Sequence, residues 1–175
     1  DDATNELYFD YFFGRNGRYY LDSVGINPQT GKELDRWLVT PKAHNIDVDF
    51  GSEKGKADHH ENFFKLGIAQ AFGYGIDKEK TSDVYAFAEA IMMQDESELL
   101  KVFNNEGNTH TITGLDGKEH KIGIDHVGHT MQAIAALRKY RESDNGKKPF
   151  TASLSIEFDA VTSGFILKLL QMPIL

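Results

Sequence analysis

The sequence predicts an α+β fold in which a helix-rich region leads into a strand close to the C-terminus. Three observations predict it. Apolar residues recur at helical spacing through the middle of the chain, most clearly Val84, Phe87, Ala88, Ile91 and Met92. Residues 6–21 and 109–124 read as strand pairs broken by Gly-containing turns. Near the end, Phe150, Ala152, Leu154, Ile156 and Phe158 alternate with Thr151, Ser153, Ser155, Glu157 and Asp159, the period of a strand with one buried face.

Taken in order, residues 6–21 carry Tyr8, Phe9, Tyr11, Phe12, Phe13, Tyr19 and Tyr20 and read as strand–turn–strand packed into a core, with Gly14 and Gly17 marking the turn. A short helix is predicted over 31–40, where Leu34, Trp37 and Leu38 fall at helical spacing and Pro41 ends the run. Residues 44–56 are polar and contain Gly, and read as a loop. Asp58 suits the N-cap of a helix running to about Phe72, with Phe64, Ile68, Ala71 and Phe72 on one face and Gly73 and Gly75 closing it. Thr81 or Ser82 caps the next helix, whose stripe is core material, and a short helix follows over 96–103. Residues 109–113 and 119–124 form a hairpin around Asp116 and Gly117. Asp125 caps a long helix through Arg141, with Val127, Met131, Ile134, Ala135 and Leu137 facing inward. Residues 143–149 form a loop before the last strand, and residues 165–172 read as the start of a helix. The chain shows no internal repeat, low-complexity tract or domain boundary.

A chain of 175 residues suffices for one domain with a modest core. Its 40% hydrophobic content, with 12 Phe and 7 Tyr, argues for a folded protein rather than a disordered one. The absence of Cys excludes disulfides and thiolate chemistry and is compatible with a reducing compartment. No apolar run approaches a membrane span and no signal peptide leads the chain. The first residue is Asp1 rather than Met, so the N-terminus is expected to be processed, trimmed or internal to something longer. The net charge of −8 runs against contact with phosphate backbones, which relies on Lys and Arg. Basic spots exist nonetheless at Arg15 and Arg18, at Arg138-Lys139-Tyr140-Arg141 and at Lys147-Lys148. If a partner completes the binding channel, most of the positive charge would lie there.

Asp159 ends the polar face of the last strand at a strand-to-helix turn, held from below and open above. That place suits a metal-binding carboxylate, although turns select Asp for their own reasons. Glu157 lies on the same face, roughly 7 Å away at strand rise, and reads as a solvated residue or a neighbour that tunes the site. The histidines offer different chemistry. Asp58-His59-His60-Glu61 and Asp125-His126-Val127-Gly128-His129 mix imidazoles with carboxylates and, if clustered, would bind zinc or iron in a metal-dependent hydrolase. His126 and His129 are three apart where a helical zinc pair wants four, and adjacent His59 and His60 point to different faces. Capping carboxylates beside surface histidines is the simpler reading. Gly73-x-Gly75 and Gly31-Lys32 are too short for phosphate loops.

The run Phe158-Asp159-Ala160-Val161-Thr162-Ser163-Gly164 resembles motif A of the single-subunit RNA polymerases of phages and mitochondria, a palm strand ending in a catalytic Asp with a Ser/Asn-Gly pair opening the next helix. Gly14-Arg15-Asn16-Gly17-Arg18-Tyr19-Tyr20, followed by Asn27-Pro28-Gln29, is similar to the family's Asp/Thr-x-x-Gly-Arg motif and the Asn-Pro-Gln-like loop after it. Between them, residues 63–78 resemble a family helix that runs into a Gly-x-Asp-Lys-like turn, here Gly75-Ile76-Asp77-Lys78. The three blocks stand in the family order and span nearly the whole chain. The sequence departs from the pattern at Gly14, which replaces the leading Asp or Thr, so the carry-over rests on Gly17-Arg18. Gly14-Arg15 is a competing register, and Arg18 before Tyr19-Tyr20 fits better. No fingers helix with its Lys and Tyr follows motif A, nor a palm hairpin with a second Asp, and no His-Asp pair occurs.

The resemblance implies residues 1–175 as a single partial polymerase domain, the incomplete right hand whose helix-rich region enters the first palm strand. It implies DNA-directed RNA synthesis, with Asp159 catalytic and Asp159 and the Ala160 carbonyl holding magnesium. Arg18, Arg15 and Gly17 would meet template, hybrid or nucleotide, while Ser163 and Gly164 would form the structural turn. Activity would need a second polypeptide carrying the fingers helix and second Asp, together with DNA template, RNA product and ribonucleoside triphosphates. The chain looks most like the N-terminal half of a divided podovirus enzyme, working in the cytoplasm of an infected cell. The hairpin over 109–124 is an insertion relative to compact family members. The alternatives are a non-catalytic nucleic-acid-binding or assembly subunit and the histidine-based hydrolase.

Overall fold

The computed structural model describes residues 10–15, 17–22, 27, 29, 45–73, 76–115 and 117–156. About 49% of them are helical and 21% are in strands, which makes the protein α+β as expected. The chain divides into two compact units, one of Asp1–Thr40 with Phe158–Leu175 and one of Pro41–Glu157.

In the first unit, β1 (Asp10–Phe13) and β2 (Tyr19–Asp22) pair antiparallel from Asp10 opposite Asp22 to Phe13 opposite Tyr19. The expectation of a hairpin turning at Gly14 and Gly17 is met. Packing into a core is not, because Leu21 is the single buried residue of the two strands. Residues 11–13 are aromatic without alternation, so the pattern does not say which face is inside.

The second unit runs β3 (Asn45–Val48), α1 (Glu53–Ala57), α2 (His60–Phe72), a 3₁₀ turn (Ile76–Lys78), α3 (Thr81–Met92) and α4 (Glu96–Leu99), continued by a 3₁₀ turn (Leu100–Phe103). A further 3₁₀ turn (Glu106–Asn108) precedes the hairpin β4 (Thr109–Thr113) and β5 (Glu119–Gly123), then α5 (Val127–Glu142) and β6 (Phe150–Ser153). Phe64, Ile68 and Phe72 of α2 pack with Val84, Phe87, Ala88 and Ile91 of α3 and with Ile134 and Leu137 of α5. Ile112 and Ile122 add the inner face of the hairpin, and Leu99 and Val102 close the end beside it. Phe50, Phe64, Tyr140 and Phe150 form a four-ring cluster in which every pair of centroids lies 5.4–6.3 Å apart.

Residues 44–56, expected as a loop, contain β3 and α1. β3 is too short to announce itself locally and exists by pairing antiparallel with β6, Val48 opposite Phe150. The Thr151 hydroxyl donates to Asp47 Oδ1 at 3.0 Å across that pair. The turn after it is built by Asp49, whose Oδ1 accepts from the N–H groups of Gly51 and Ser52, and by Ser52, whose Oγ caps α1 by accepting from Gly55 N–H. Burial along β6 alternates through Leu154, as the sequence indicates, although the strand itself ends at Ser153.

The expected helix caps are displaced. His59, left-handed at φ 55°, precedes α2, and Asp58 instead closes α1. Lys80 precedes α3 and His126 precedes α5, neither with a side-chain cap bond. In α5 the buried face is Gly128, Thr130, Ala133, Ile134, Ala136 and Leu137, while Val127, Met131 and Ala135, expected inside, face solvent. The rotation brings Thr130 into the core, where its hydroxyl donates to the Ala71 carbonyl at 2.8 Å. Ala71 lies in the last turn of α2, whose carbonyls have no partner within their own helix. Thr130 therefore caps α2 from across the core. Thr130→Val, which keeps shape and deletes the donor, is expected to cost about 1–3 kcal/mol in urea denaturation. A neutral outcome would show that the Ala71 carbonyl has no need of this donor.

Candidate nucleic-acid interface

The turn of the first hairpin follows from its glycines. Gly14 N–H donates to the Arg18 carbonyl at 2.7 Å and Gly17 N–H to the Gly14 carbonyl at 3.0 Å, with Gly17 left-handed at φ 79°. A three-residue hairpin connection needs a residue at positive φ in that place. The second hairpin repeats the device: Gly114 N–H to the Lys118 carbonyl at 2.8 Å, Gly117 N–H to the Gly114 carbonyl at 3.0 Å, and Gly117 at φ 74°. Gly-x-x-Gly followed by a basic residue is thus a turn grammar this chain uses twice. Gly17 is accounted for by backbone geometry, while Arg15 and Arg18 are left exposed at the tip.

The loop after β2 is joined to it by side chains. Gln29 Oε1 accepts from Leu21 N–H at 2.6 Å and Gln29 Nε2 donates to the Tyr19 carbonyl at 2.9 Å. Its carboxamide stands where the peptide group of a third strand would, capping the β2 edge that faces away from β1. Asn27 supports it, its Oδ1 accepting from Gln29 N–H at 3.0 Å and its Nδ2 donating to the Leu21 carbonyl at 3.4 Å. The sequence marks Asn27 and Gln29 by resemblance alone; their work as an edge cap is visible only in the structure. Phe12 stacks on Tyr20 at 5.5 Å and Phe13 meets Tyr19 edge-on at 5.1 Å, so the rings pair across the strands on both faces.

Asp159, Ala160, Ser163 and Gly164, with Glu157, lie outside the described residues, as does the helix expected over 31–40. The candidate ligands His59, His60, His126 and His129 are described, and His60 and His129 serve the fold. His60 Nδ1 accepts from Asp49 N–H at 3.1 Å, with Nε2 3.8 Å from Asp58 Oδ2. His129 Nε2 donates to the Ser155 carbonyl at 2.7 Å, tying the chain beyond β6 to α5. His126 lies 3.7 Å from the Asp125 carboxylate, and His59 is exposed. Among the described residues no group of three His, Cys, Asp or Glu side chains is arranged to hold a metal ion.

The other basic spots are largely committed to ion pairs. Arg138 grips Glu96 through both Nε and Nη2, which holds the Glu96 carboxyl below its ordinary range. Lys139 pairs with Glu142 at 2.9 Å, Lys147 with Asp144 at 3.3 Å, and Arg141 donates to the Gln94 carbonyl. Beside them opens a cleft of about 780 Å³, lined in part by Glu61, Lys65, Glu89 and Tyr140. Burial alone would lower the Lys65 pKa, but carboxylates of Glu61 at 2.7 Å and Glu89 at 2.6 Å outweigh it and hold the ammonium charged above its ordinary range. A lysine so neutralised presents little free charge to a phosphate. Among the described residues no helix is long and apolar enough to cross a membrane. Comparison of the chain with models of known protein families, with curated proteins and with solved structures found no match.

Proposed function

We propose that this chain is one component of a DNA-directed RNA polymerase of the single-subunit type, supplying the motif A carboxylate to an active site completed by a second polypeptide. What supports the reading is the join between two blocks of the resemblance: the Gly17-Arg18 turn and the Asn27/Gln29 loop form one unit, hydrogen-bonded through Gln29 to both Tyr19 and Leu21. Arg18, exposed at the tip, would meet the template or the hybrid, since a guanidinium binds phosphate oxygens in pairs. Arg15 is a second donor on the same turn.

In this reading, which rests on the resemblance, Asp159 is the motif A carboxylate and Ser163 and Gly164 are the turn residues after it, beyond the end of β6 at Ser153. The Asp159 carboxylate and the Ala160 carbonyl are hard oxygen donors of the kind magnesium prefers. Magnesium bound there would lower the pKa of the attacking 3′-hydroxyl and balance charge on the leaving pyrophosphate. The chain's own task is to hold that carboxylate and carbonyl in place while Arg18 positions the nucleic acid. A partner contributes the fingers helix and the second Asp.

The chain alone is expected to be inactive. Combined with a companion polypeptide carrying those parts, it should transcribe DNA in the presence of magnesium. Asp159→Ala should abolish that synthesis, leaving co-purification of the two polypeptides unchanged. Retained synthesis in the variant refutes the assignment. A second reading, a non-catalytic nucleic-acid-binding subunit, is favoured by the exposed aromatic hairpin and forecasts no effect of Asp159→Ala.

A further inference from the structure

We propose that the hairpin face carrying Tyr11, Phe13 and Tyr19 is a stacking platform for unpaired nucleotides. The inference rests on the reading above in bringing nucleic acid to this hairpin, and it extends that reading from the arginine tip to an aromatic face. These rings are 62%, 48% and 66% exposed, on two strands whose single buried residue is Leu21. By strand alternation they share one face with Leu21, whereas Asp10 and Asp22 share the other with Phe12 and Tyr20. Among the described strand residues the Tyr11 face therefore carries no carboxylate, and its turn end leads to the exposed Arg15 and Arg18. Aromatic planes beside guanidiniums match a single strand, whose bases stack while its phosphates need cations.

Two features favour this occupant over a polypeptide. The outer edge of β2 is already filled by the Gln29 carboxamide, so a peptide strand cannot add there. Phe13 and Tyr19 are also held against each other at 5.1 Å, so part of the platform is ordered before any base arrives. The charge on the rest of the chain opposes binding, so affinity must come from stacking and from the two arginines.

The test is fluorescence anisotropy of a labelled oligothymidylate about 12 nucleotides long, titrated with the full chain in EDTA at several salt concentrations. Binding is expected to exceed that of the matching duplex. Tyr19→Ala should weaken it on the order of tenfold. Tyr19→Phe and Tyr19→Trp should retain it, which separates stacking from loss of the hairpin. Arg15→Gln should reduce the salt dependence by roughly one phosphate contact. Unchanged binding in Tyr19→Ala, or none by the parent chain at low salt, overturns the proposal. So does concentration-dependent self-association that Tyr19→Ala abolishes, which would assign the face to a second copy of the chain. No metal or catalysis enters this measurement, so it stands or falls separately from the Asp159 experiment.

Discussion

Phe64→Ala is expected to destabilise the second unit by about 3–5 kcal/mol, a large part of the total stability of a domain this size. Phe64 is 1% exposed and is the ring around which the aromatic cluster closes, 5.4 Å from Phe150, 5.7 Å from Tyr140 and 5.8 Å from Phe50. The three come from separate parts of the chain: β6, the end of α5, and the turn after β3. Removing the phenyl group takes away its own transfer free energy and leaves a cavity that three rings on different elements cannot close together. The midpoint should fall by roughly 10 °C, with loss of near-ultraviolet circular dichroism from the clustered rings. A loss below about 1 kcal/mol would mean that the cluster relaxes freely and does not fix α2 against β6.

The parts of this fold legible in the sequence are those in which local pattern and tertiary packing agree. Val84, Phe87, Ala88 and Ile91 follow the period of α3 and are buried, and Gly117 supplies the positive φ that its hairpin requires. β3 was hidden because four residues carry too little pattern, and its partner β6 lies about a hundred positions away. α5 differs from its sequence pattern by a rotation about its axis. Its apolar residues fit two overlapping arcs, and the one that packs uses the small residues Gly128, Ala133 and Ala136 and a polar Thr130. A threonine earns a core position only when a carbonyl awaits its hydroxyl, and the end of α2 cannot be seen from within α5.

The candidate site divides along the same line. The turn at Gly14 and Gly17 is legible in the sequence because a hairpin turn is local and its shape follows from two glycines. Arg15, Gly17 and Arg18 are singled out as binding residues by resemblance alone. The exposure of Tyr11, Phe13 and Tyr19 is not legible, since unbroken aromatic runs carry no sign of which face meets water. The edge cap by Gln29 escaped for a further reason: its carboxamide imitates a backbone group, and no periodicity records that. His60 and His129 are engaged with backbone groups, bonds that reach to Asp49 and Ser155 and that spacing along the chain does not record.

Gly146→Ala should rank next in effect, and it offers a check on the first experiment. Gly146 adopts φ +80°, a conformation that costs an alanine about 1–2 kcal/mol. A methyl group there would also sit 2.5 and 2.7 Å from ring carbons of Phe50 and 3.2 Å from Tyr140. Forcing a carbon into a packed cluster costs typically about 1–3 kcal/mol more, so a total of roughly 2–5 kcal/mol is expected in denaturant titrations. The steric share depends on whether Phe50 can retreat, and Phe64 is one of the rings behind it. In the double variant with Phe64→Ala, the space left by one substitution should admit the ring displaced by the other. The two losses should therefore sum to less than their separate values, by about 1 kcal/mol or more. Additive losses would show that the two positions do not share this cluster, and the backbone strain at residue 146 would then account for the whole effect.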